Sequence, residues 1–147
     1  MSLPKAILTF VRYIWASPTT LIGLFLVGSG LISGGRCQVV RGVLEAHGGF
    51  VTMILRRLVP LKNGASAMTL GHVVIGRDLG ALARTREHER VHVRQCERWG
   101  PLFIPAYFTA SLVAKLRGRD AYYGNAFEVE AHQVSNGGDD ERASRNS

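Results

Sequence analysis

Residues 86–97 read REHERVHVRQCE, and residues 88–92 within this stretch form an H-E-x-x-H motif. Because residues four apart lie on the same face of an α-helix, His88 and His92 can bind one metal ion together. Glu89 points to the side of this pair, where its carboxylate can accept a proton from a metal-bound water. The motif therefore predicts a helix that carries a metal site, with Glu89 as the catalytic base. The alternative is a solvated helix whose histidines and charged residues bind no metal.

A third ligand is predicted in residues 125–132, which read NAFEVEAH. A catalytic zinc ion has three protein ligands and one open position, and two histidines with one glutamate are an established set. Glu128 and Glu130 lie about 200° apart around a helix, so only one of them can face the metal. We predict Glu128 as the ligand, with Glu130 as the alternative. Asn125 and Glu128 also have the spacing of a capping box, in which the Glu128 carboxylate would return to the Asn125 amide.

The segments on either side of the motif predict an α+β fold. Three stretches before the motif are rich in β-branched and aliphatic residues and are separated by glycine-containing turns. This pattern predicts a small antiparallel sheet that begins with a β-hairpin. Asp78 can cap the motif helix, and Gly100-Pro101 ends it. The predicted strands cover residues 37–46, 50–58 and 67–76, and the predicted helices cover residues 79–99, 102–116 and 125–134.

An uncharged run covers 23 residues, from 13 to 35. Since a helix rises ~1.5 Å per residue, roughly 20 apolar residues cross the hydrocarbon layer of a membrane. Tyr13 and Trp15 at the start of the run are of the residue types that favour the headgroup level. The run predicts an N-terminal apolar helix that lies in or spans a membrane, although Pro18 would break or kink it. Two alternatives stay open: a buried core helix of a cytoplasmic protein, and a signal peptide without a clear cleavage site.

Length and composition fit a single folded domain behind this hydrophobic segment. With 147 residues the chain can bury one core, and 46% hydrophobic residues exclude wholesale disorder. We predict a membrane-associated segment at 1–35, a metal-binding domain at 36–134 and a disordered tail at 135–147. The net charge of +7 suits an anionic membrane surface. No nucleic-acid-binding signature accompanies the basic residues, so a nucleic-acid partner is not expected.

Together, HERVH at 88–92 and FEVEA at 127–131 resemble the gluzincins, the zincin metallopeptidases with a glutamate ligand. The similarity is greatest to their small bacterial forms, the minigluzincins and related zincin-like domains of unknown function, and it covers about residues 68–132. It implies Zn²⁺ as the cofactor, Glu128 as the third ligand and a peptide substrate lying along the strand at 67–76. The family's Asp, which supports a histidine ligand, falls on His132 here.

We therefore expect a zinc-dependent, metallopeptidase-like hydrolase that acts on a peptide or protein substrate. The alternative is a catalytically inactive, zincin-shaped scaffold or binding module at the membrane, which keeps its metal for stability. The oligomeric state stays open.

Several other side chains are candidates for a role at the site. Cys96 is about 12 Å along the helix from His88 and is expected in the core. His72 and His132 are either oxyanion-orienting groups or ordinary half-buried histidines. The candidate oxyanion donors among the tyrosines are Tyr107, Tyr122 and Tyr123, of which Tyr122 and Tyr123 are expected to be the better placed.

Overall fold

The computed structural model describes the backbone of residues 3–59 and 64–145 and the side chains of residues 7–59 and 64–137. It confirms the α+β class, with an apolar helix first, a small sheet next and further helices after it. The elements in chain order are α1 (Leu3–Ile32), β1 (Arg36–Val40), β2 (Val43–His47), α2 (Gly49–Arg57), β3 (Ala67–Leu70), β4 (Val73–Gly76), α3 (Leu79–Trp99), a 3₁₀ turn (Gly100–Leu102), α4 (Phe103–Leu116) and α5 (Ala126–Arg145).

The four strands form one sheet in the order β1-β2-β4-β3. Two antiparallel hairpins, β1–β2 and β3–β4, are joined through a parallel pairing of β2 with β4. The sheet is therefore mixed rather than wholly antiparallel as predicted. β1 and β3 are its edges, and β3 directly precedes the central strand that leads into α3.

The strand predicted at residues 50–58 is wrong, because this stretch is helix α2. Val51, Ile54 and Leu55 are its buried residues, and their spacing of three and four is helical. Both of the other predicted strands are hairpins with two-residue turns. The backbone adopts positive φ at Arg41 (47°) and Gly42 (80°), and again at Gly71 (65°). Such angles form the tight turns that join twisted antiparallel strands.

The helices that carry the predicted site form close to their predicted bounds. The α3 helix runs from Leu79 to Trp99, as predicted, and Asp78 caps it by accepting a hydrogen bond of 2.7 Å from the Ala81 amide. The α4 helix begins one residue later than predicted. The α5 helix continues to Arg145, beyond the end predicted at residue 134.

The sheet lies between α1 and α2 on one face and α3 on the other. On the first face Val27 of α1 packs in a cluster with Val51, Val73 and Ile75. Close approach of α1 needs Gly23, because a Cβ there would come within 2.7 Å of the Val73 Cβ. On the second face the apolar cluster consists of Val43, Val74, Leu82 and Val93. Alternate residues of the strands therefore face opposite layers, as the pleat requires.

The α1 helix does not end at Pro18. Proline has no amide hydrogen, so the carbonyl of Ile14, four residues earlier, lacks its usual helical partner. The Ser17 hydroxyl donates a hydrogen bond of 2.7 Å to that carbonyl. Among the described residues, one helix, over Ile7–Ile32, is long and apolar enough to span a membrane, a property that core helices and signal sequences can share.

Candidate metal centre

Three side chains from two helices converge at one point beside the sheet. The Nε2 atom of His88 lies 3.1 Å from Nε2 of His92 and 3.2 Å from Oε2 of Glu128. The Nε2 atom of His92 lies 3.4 Å from Oε1 of Glu128. Neighbouring ligands in a tetrahedral zinc site lie about 3.3 Å apart, given metal–ligand distances of about 2.0–2.1 Å. The three donors therefore have the spacing of ligands around a single zinc ion.

The Glu128 carboxylate is buried but incompletely satisfied. Its side chain is 3% exposed, and its Oε2 atom has no hydrogen-bond partner among the described residues although His88 lies close by. Burial by itself would raise the pKa of Glu128, but the contacts from His88, His92 and Tyr107 hold that pKa well below its usual range. Buried polar atoms rarely lack partners. A buried, ionised carboxylate with a free oxygen facing two imidazoles fits a divalent cation.

Asn125 caps α5 without the Glu128 carboxylate, which the predicted capping box would have used. Its Oδ1 atom accepts a hydrogen bond of 2.9 Å from the Phe127 amide, and its Nδ2 atom donates to the Tyr107 carbonyl. The Asn125 amide itself donates to the Tyr122 carbonyl, so the Glu128 carboxylate is not needed there. Asn125 thus starts α5 and leaves Glu128 to face the histidines.

Glu130, the alternative ligand, lies on another side of α5. Its carboxylate accepts hydrogen bonds from Gln95 at 2.9 Å and from Arg98 at 3.4 Å. The structure therefore brings Glu128 together with His88 and His92 and leaves Glu130 outside the cluster.

Glu89, the predicted base, is buried beside the two histidines. Burial raises its pKa above the usual range, and contacts with His92 and Thr69 only partly offset the effect. The Thr69 hydroxyl donates a hydrogen bond of 2.7 Å to Oε2 of Glu89. Because Thr69 belongs to edge strand β3, the sheet edge and the base are in direct contact. A carboxylate with a raised pKa is suited to accept and return a proton near neutral pH.

Gln95 supports His92, a role that the sequence did not reveal. Its Oε1 atom lies 2.8 Å from Nδ1 of His92, the ring nitrogen that does not face the cluster. Its Nε2 atom donates to the Phe127 carbonyl and to Glu130, which fixes the amide from the α5 side. Gln95 thus fixes the orientation of the His92 ring, as hydrogen-bond partners of metal-bound histidines commonly do. Its position three residues after His92, on the same helical face, was the available signal.

Tyr107, on α4, supports the Glu128 carboxylate. Its hydroxyl donates a hydrogen bond of 2.6 Å to Oε1 of Glu128. Burial and the Glu128 charge raise the pKa of this phenol, so it stays a donor. Tyr122 also has its pKa raised by burial and by Glu128. Tyr123 is largely exposed and stacks on His132. Of the tyrosines named from the sequence, Tyr107 and Tyr122 reach the cluster through Glu128.

His132 lies at the rim of the cluster, one turn after Glu128 on α5. Its ring centroid is 4.6 Å from that of His88, and one ligand atom each of His88, Glu128 and His132 lie within 4.8 Å of one another. Its buried Nε2 atom has no hydrogen-bond partner among the described residues. Burial and the nearby His88 lower its pKa, which keeps the imidazole neutral. His92 makes the tighter group, because its Nε2 atom lies 3.1 and 3.4 Å from the other two donors.

In comparisons with known proteins, no family model, no curated protein and no solved structure matches this chain. The gluzincin resemblance rests on the two motifs.

His72 and Cys96 lie away from the centre. The His72 ring stacks on Tyr13 of α1 at 3.9 Å and places its Nε2 atom 3.1 Å from Glu97, so it ties α1 to the sheet and α3. Cys96 is fully buried, as predicted, and burial raises the pKa of its thiol to about 12. Neither side chain belongs to the His88 cluster.

Proposed function

We propose that the chain is a zinc-dependent hydrolase of the metallopeptidase type, with His88, His92 and Glu128 as ligands and Glu89 as the proton acceptor. The observation that carries this proposal is the convergence of two Nε2 atoms and one carboxylate at 3.1–3.4 Å. The unsatisfied Oε2 atom of Glu128 supports a cation at that point. The gluzincin resemblance supports zinc as the cation.

Each residue around the centre has a distinct part in this mechanism. When bound, zinc supplies a Lewis acid that polarises a carbonyl and activates a water molecule. The Glu89 carboxylate, oriented by Thr69, would accept the proton of the attacking water and return it to the leaving amine. Gln95 and Tyr107 hold a histidine and the glutamate ligand in place, so that little reorganisation is needed during turnover.

Edge strand β3 favours an extended peptide as the substrate. β3 pairs with β4 on one side, and β3 is the last strand on that side of the sheet. The free backbone groups of an edge can pair with an added peptide strand. Because Thr69 of β3 contacts Glu89, a peptide along this edge would lie next to the proton acceptor. We further propose that the protein works in association with a membrane through residues 13–35.

The position of His132 supports a second candidate function, which is a metal-stabilised scaffold at the membrane that catalyses no reaction. Structural zinc sites are closed by four protein ligands, whereas catalytic sites keep one position open. A small shift of His132 would provide that fourth ligand, since its Nε2 atom is buried and unpartnered. In this case the metal would stabilise the packing of α3 against α5 and no substrate would be cleaved.

Metal analysis combined with a base variant tests both candidates. We expect about one zinc per purified chain, lost in His88→Ala and retained in Glu89→Gln. Turnover of a mixture of quenched fluorescent peptides should fall about 10²–10⁴-fold in Glu89→Gln. Glu87→Gln, on the same helix but partly exposed, is the matched control and should keep full activity.

The outcomes separate the candidates clearly. Full activity in Glu89→Gln would disprove the proposed mechanism, and absence of zinc in the wild type would disprove the site. Zinc binding with a large stability loss on chelation, but with no cleavage of any peptide, would instead support the scaffold.

A further inference from the structure

The α1 helix has an inward face rich in small residues and an outward face dominated by large apolar residues. Ala16, Gly23, Val27 and Gly30 lie on the inward face and are buried. The side chains opposite them are large, apolar and exposed, up to 74% for Phe25 and 91% for Ile32. A helix on the surface of a soluble protein carries polar or charged residues on its outer face. The exposed apolar residues on this face are Ile7, Phe10, Val11, Ile14, Leu21, Ile22, Phe25 and Ile32.

The domain lies alongside most of the length of α1. Tyr13 stacks on His72 near the start of the contact, and the Ser33 hydroxyl accepts a hydrogen bond of 2.7 Å from the Phe50 amide just after the helix ends. Between them, the Thr20 hydroxyl accepts a hydrogen bond of 3.1 Å from the His72 amide. At ~1.5 Å per residue this contact extends over about 30 Å, which is the thickness of the hydrocarbon layer.

This docking is incompatible with a spanning α1. If α1 crossed the membrane, the sheet beside it, with exposed edge strand β1, would lie within the hydrocarbon. Unpaired backbone groups of an open sheet edge are not tolerated there. The part of α1 before the contact, Leu3–Val11, is about 13 Å long and too short to cross. The outward face can meet lipid only if α1 lies along the membrane surface.

The α4 helix has a second exposed apolar face. Phe108, Leu112 and Leu116 are spaced four residues apart and are exposed. Its 14 residues give a length of about 21 Å, again too short to span. The 3₁₀ turn that leads into α4 packs on α1, where Gly100 lies directly against the Trp15 indole.

The charges of these elements suit an anionic lipid surface. The sequences of α1, the 3₁₀ turn and α4 contain no acidic residue, and their charged residues are Lys5, Arg12 and Lys115. Arg117 and Arg119 follow directly after α4. Basic residues beside an apolar helical face bind anionic headgroups while the face enters the acyl boundary.

We propose that the outward faces of α1 and α4 form one surface that lies in the plane of an anionic membrane leaflet, so that the chain is held at the membrane without crossing it. The inner side of α4 contacts the metal centre through Tyr107 and Phe103. The centre therefore lies about one helix diameter, ~10 Å, from the leaflet. This arrangement does not depend on hydrolysis at the site.

Labels at single cysteines test the orientation in the full chain. Cys37 is exposed and is replaced by serine, and Cys96 is buried and stays. A fluorophore that reports polarity is then attached at Ile14→Cys, Leu21→Cys, Phe25→Cys or Leu112→Cys. Gln133→Cys, on an exposed position of α5, is the matched control. The proteins are added to phosphatidylcholine vesicles with or without phosphatidylglycerol, and depth is measured with lipids that carry quenchers at known positions.

We expect the three α1 labels and the Leu112 label at one shallow depth, the Gln133 label in water, and tighter binding when phosphatidylglycerol is present. Depth that increases along α1 towards the bilayer centre would show a spanning helix and overturn the proposal. A Leu112 label in water would show that α4 does not belong to the membrane-binding surface. Labels that are shielded without vesicles and that interact between chains would show instead that a second copy covers this surface. Circular dichroism of each variant shows that it has folded.

Discussion

The α3 and α1 helices lie on opposite faces of one sheet and break the usual rule of burial in opposite ways. Among the buried residues of α3 are the polar side chains Glu89, His92 and Gln95. The α1 helix leaves a long apolar face exposed. Exposed polar residues and buried apolar ones need no explanation, whereas buried polar groups and large exposed apolar patches do.

The two exceptions have different physical compensations. On α3 each of these three side chains has a partner from another element: Thr69 for Glu89, Glu128 for His92, and the Phe127 carbonyl for Gln95. On α1 the described part of the chain offers no cover for the outward face. The buried polar side chains of α3 therefore have their partners within the fold. The exposed apolar face of α1 requires a surface outside the fold.

The largest expected effect is on zinc content, and it comes from a substitution at the start of α5, which faces α3. Glu128→Ala removes the proposed carboxylate ligand, so we expect the zinc content to fall from about one per chain to a small fraction. Elemental analysis of protein purified without chelators measures this. Glu130→Ala is the comparison, since its carboxylate contacts Gln95 and Arg98 instead, and it should keep the metal. The reverse result would make Glu130 the ligand.

A smaller effect on zinc affinity is expected from removing the side chain that supports His92. Gln95→Ala leaves Nδ1 of His92 without the partner that orients its ring, so zinc affinity should fall about 10–100-fold. Competition with a chromogenic chelator gives the affinity. Gln95→Glu keeps an acceptor beside Nδ1 but loses the donors to the Phe127 carbonyl and Glu130, so it should restore only part of the affinity. Arg94→Ala, exposed on the same helix, should change nothing; if it weakens binding as much as Gln95→Ala, the effect is not specific.

On α1 the matched pair is Gly23 and Gly28. Gly23→Ala places a Cβ 2.7 Å from the Val73 Cβ, so we expect a loss of about 1–3 kcal/mol in the free energy of unfolding. A Cβ at Gly28 meets nothing within 4 Å, and Gly28→Ala should stabilise the helix by up to about 1 kcal/mol. Denaturant unfolding in mild detergent measures both. Equal effects of the two changes would mean that α1 is not docked on the sheet.

The smallest effect concerns the helical turn at Pro18. Ser17→Ala leaves the Ile14 carbonyl without a donor, and we expect a cost of about 1 kcal/mol. Ser29→Ala is the control, because the Phe25 carbonyl that Ser29 contacts keeps a helical amide partner. Unfolding in the same detergent compares the two. A neutral Ser17→Ala would show that water or a lipid headgroup satisfies this carbonyl.

The sequence pattern was sufficient to predict α3, but it was not sufficient to predict the elements between α1 and β3. Asp78 and Gly100 mark the two ends of α3 by local backbone chemistry, and both ends were predicted. In the stretch from Gly49 to Arg57, only three side chains pack inward and the run is apolar enough to suit a strand or a helix. Packing against α1 and β4 selected the helix. The parallel pairing of β2 with β4 likewise depends on the connection through α2 and β3, which strand propensity does not encode.

Local sequence by itself determined the helix with two histidines and a glutamate at fixed spacing, because 3.6 residues per turn place them on adjoining faces. It also determined that an apolar helix precedes the domain. Only the tertiary structure brought Glu128 rather than Glu130 to the two histidines, placed Gln95, Tyr107 and Thr69 around the cluster, and divided α1 into a docked and an exposed face. These choices depend on distances between elements that are far apart in the chain, and such distances are set by how the core packs.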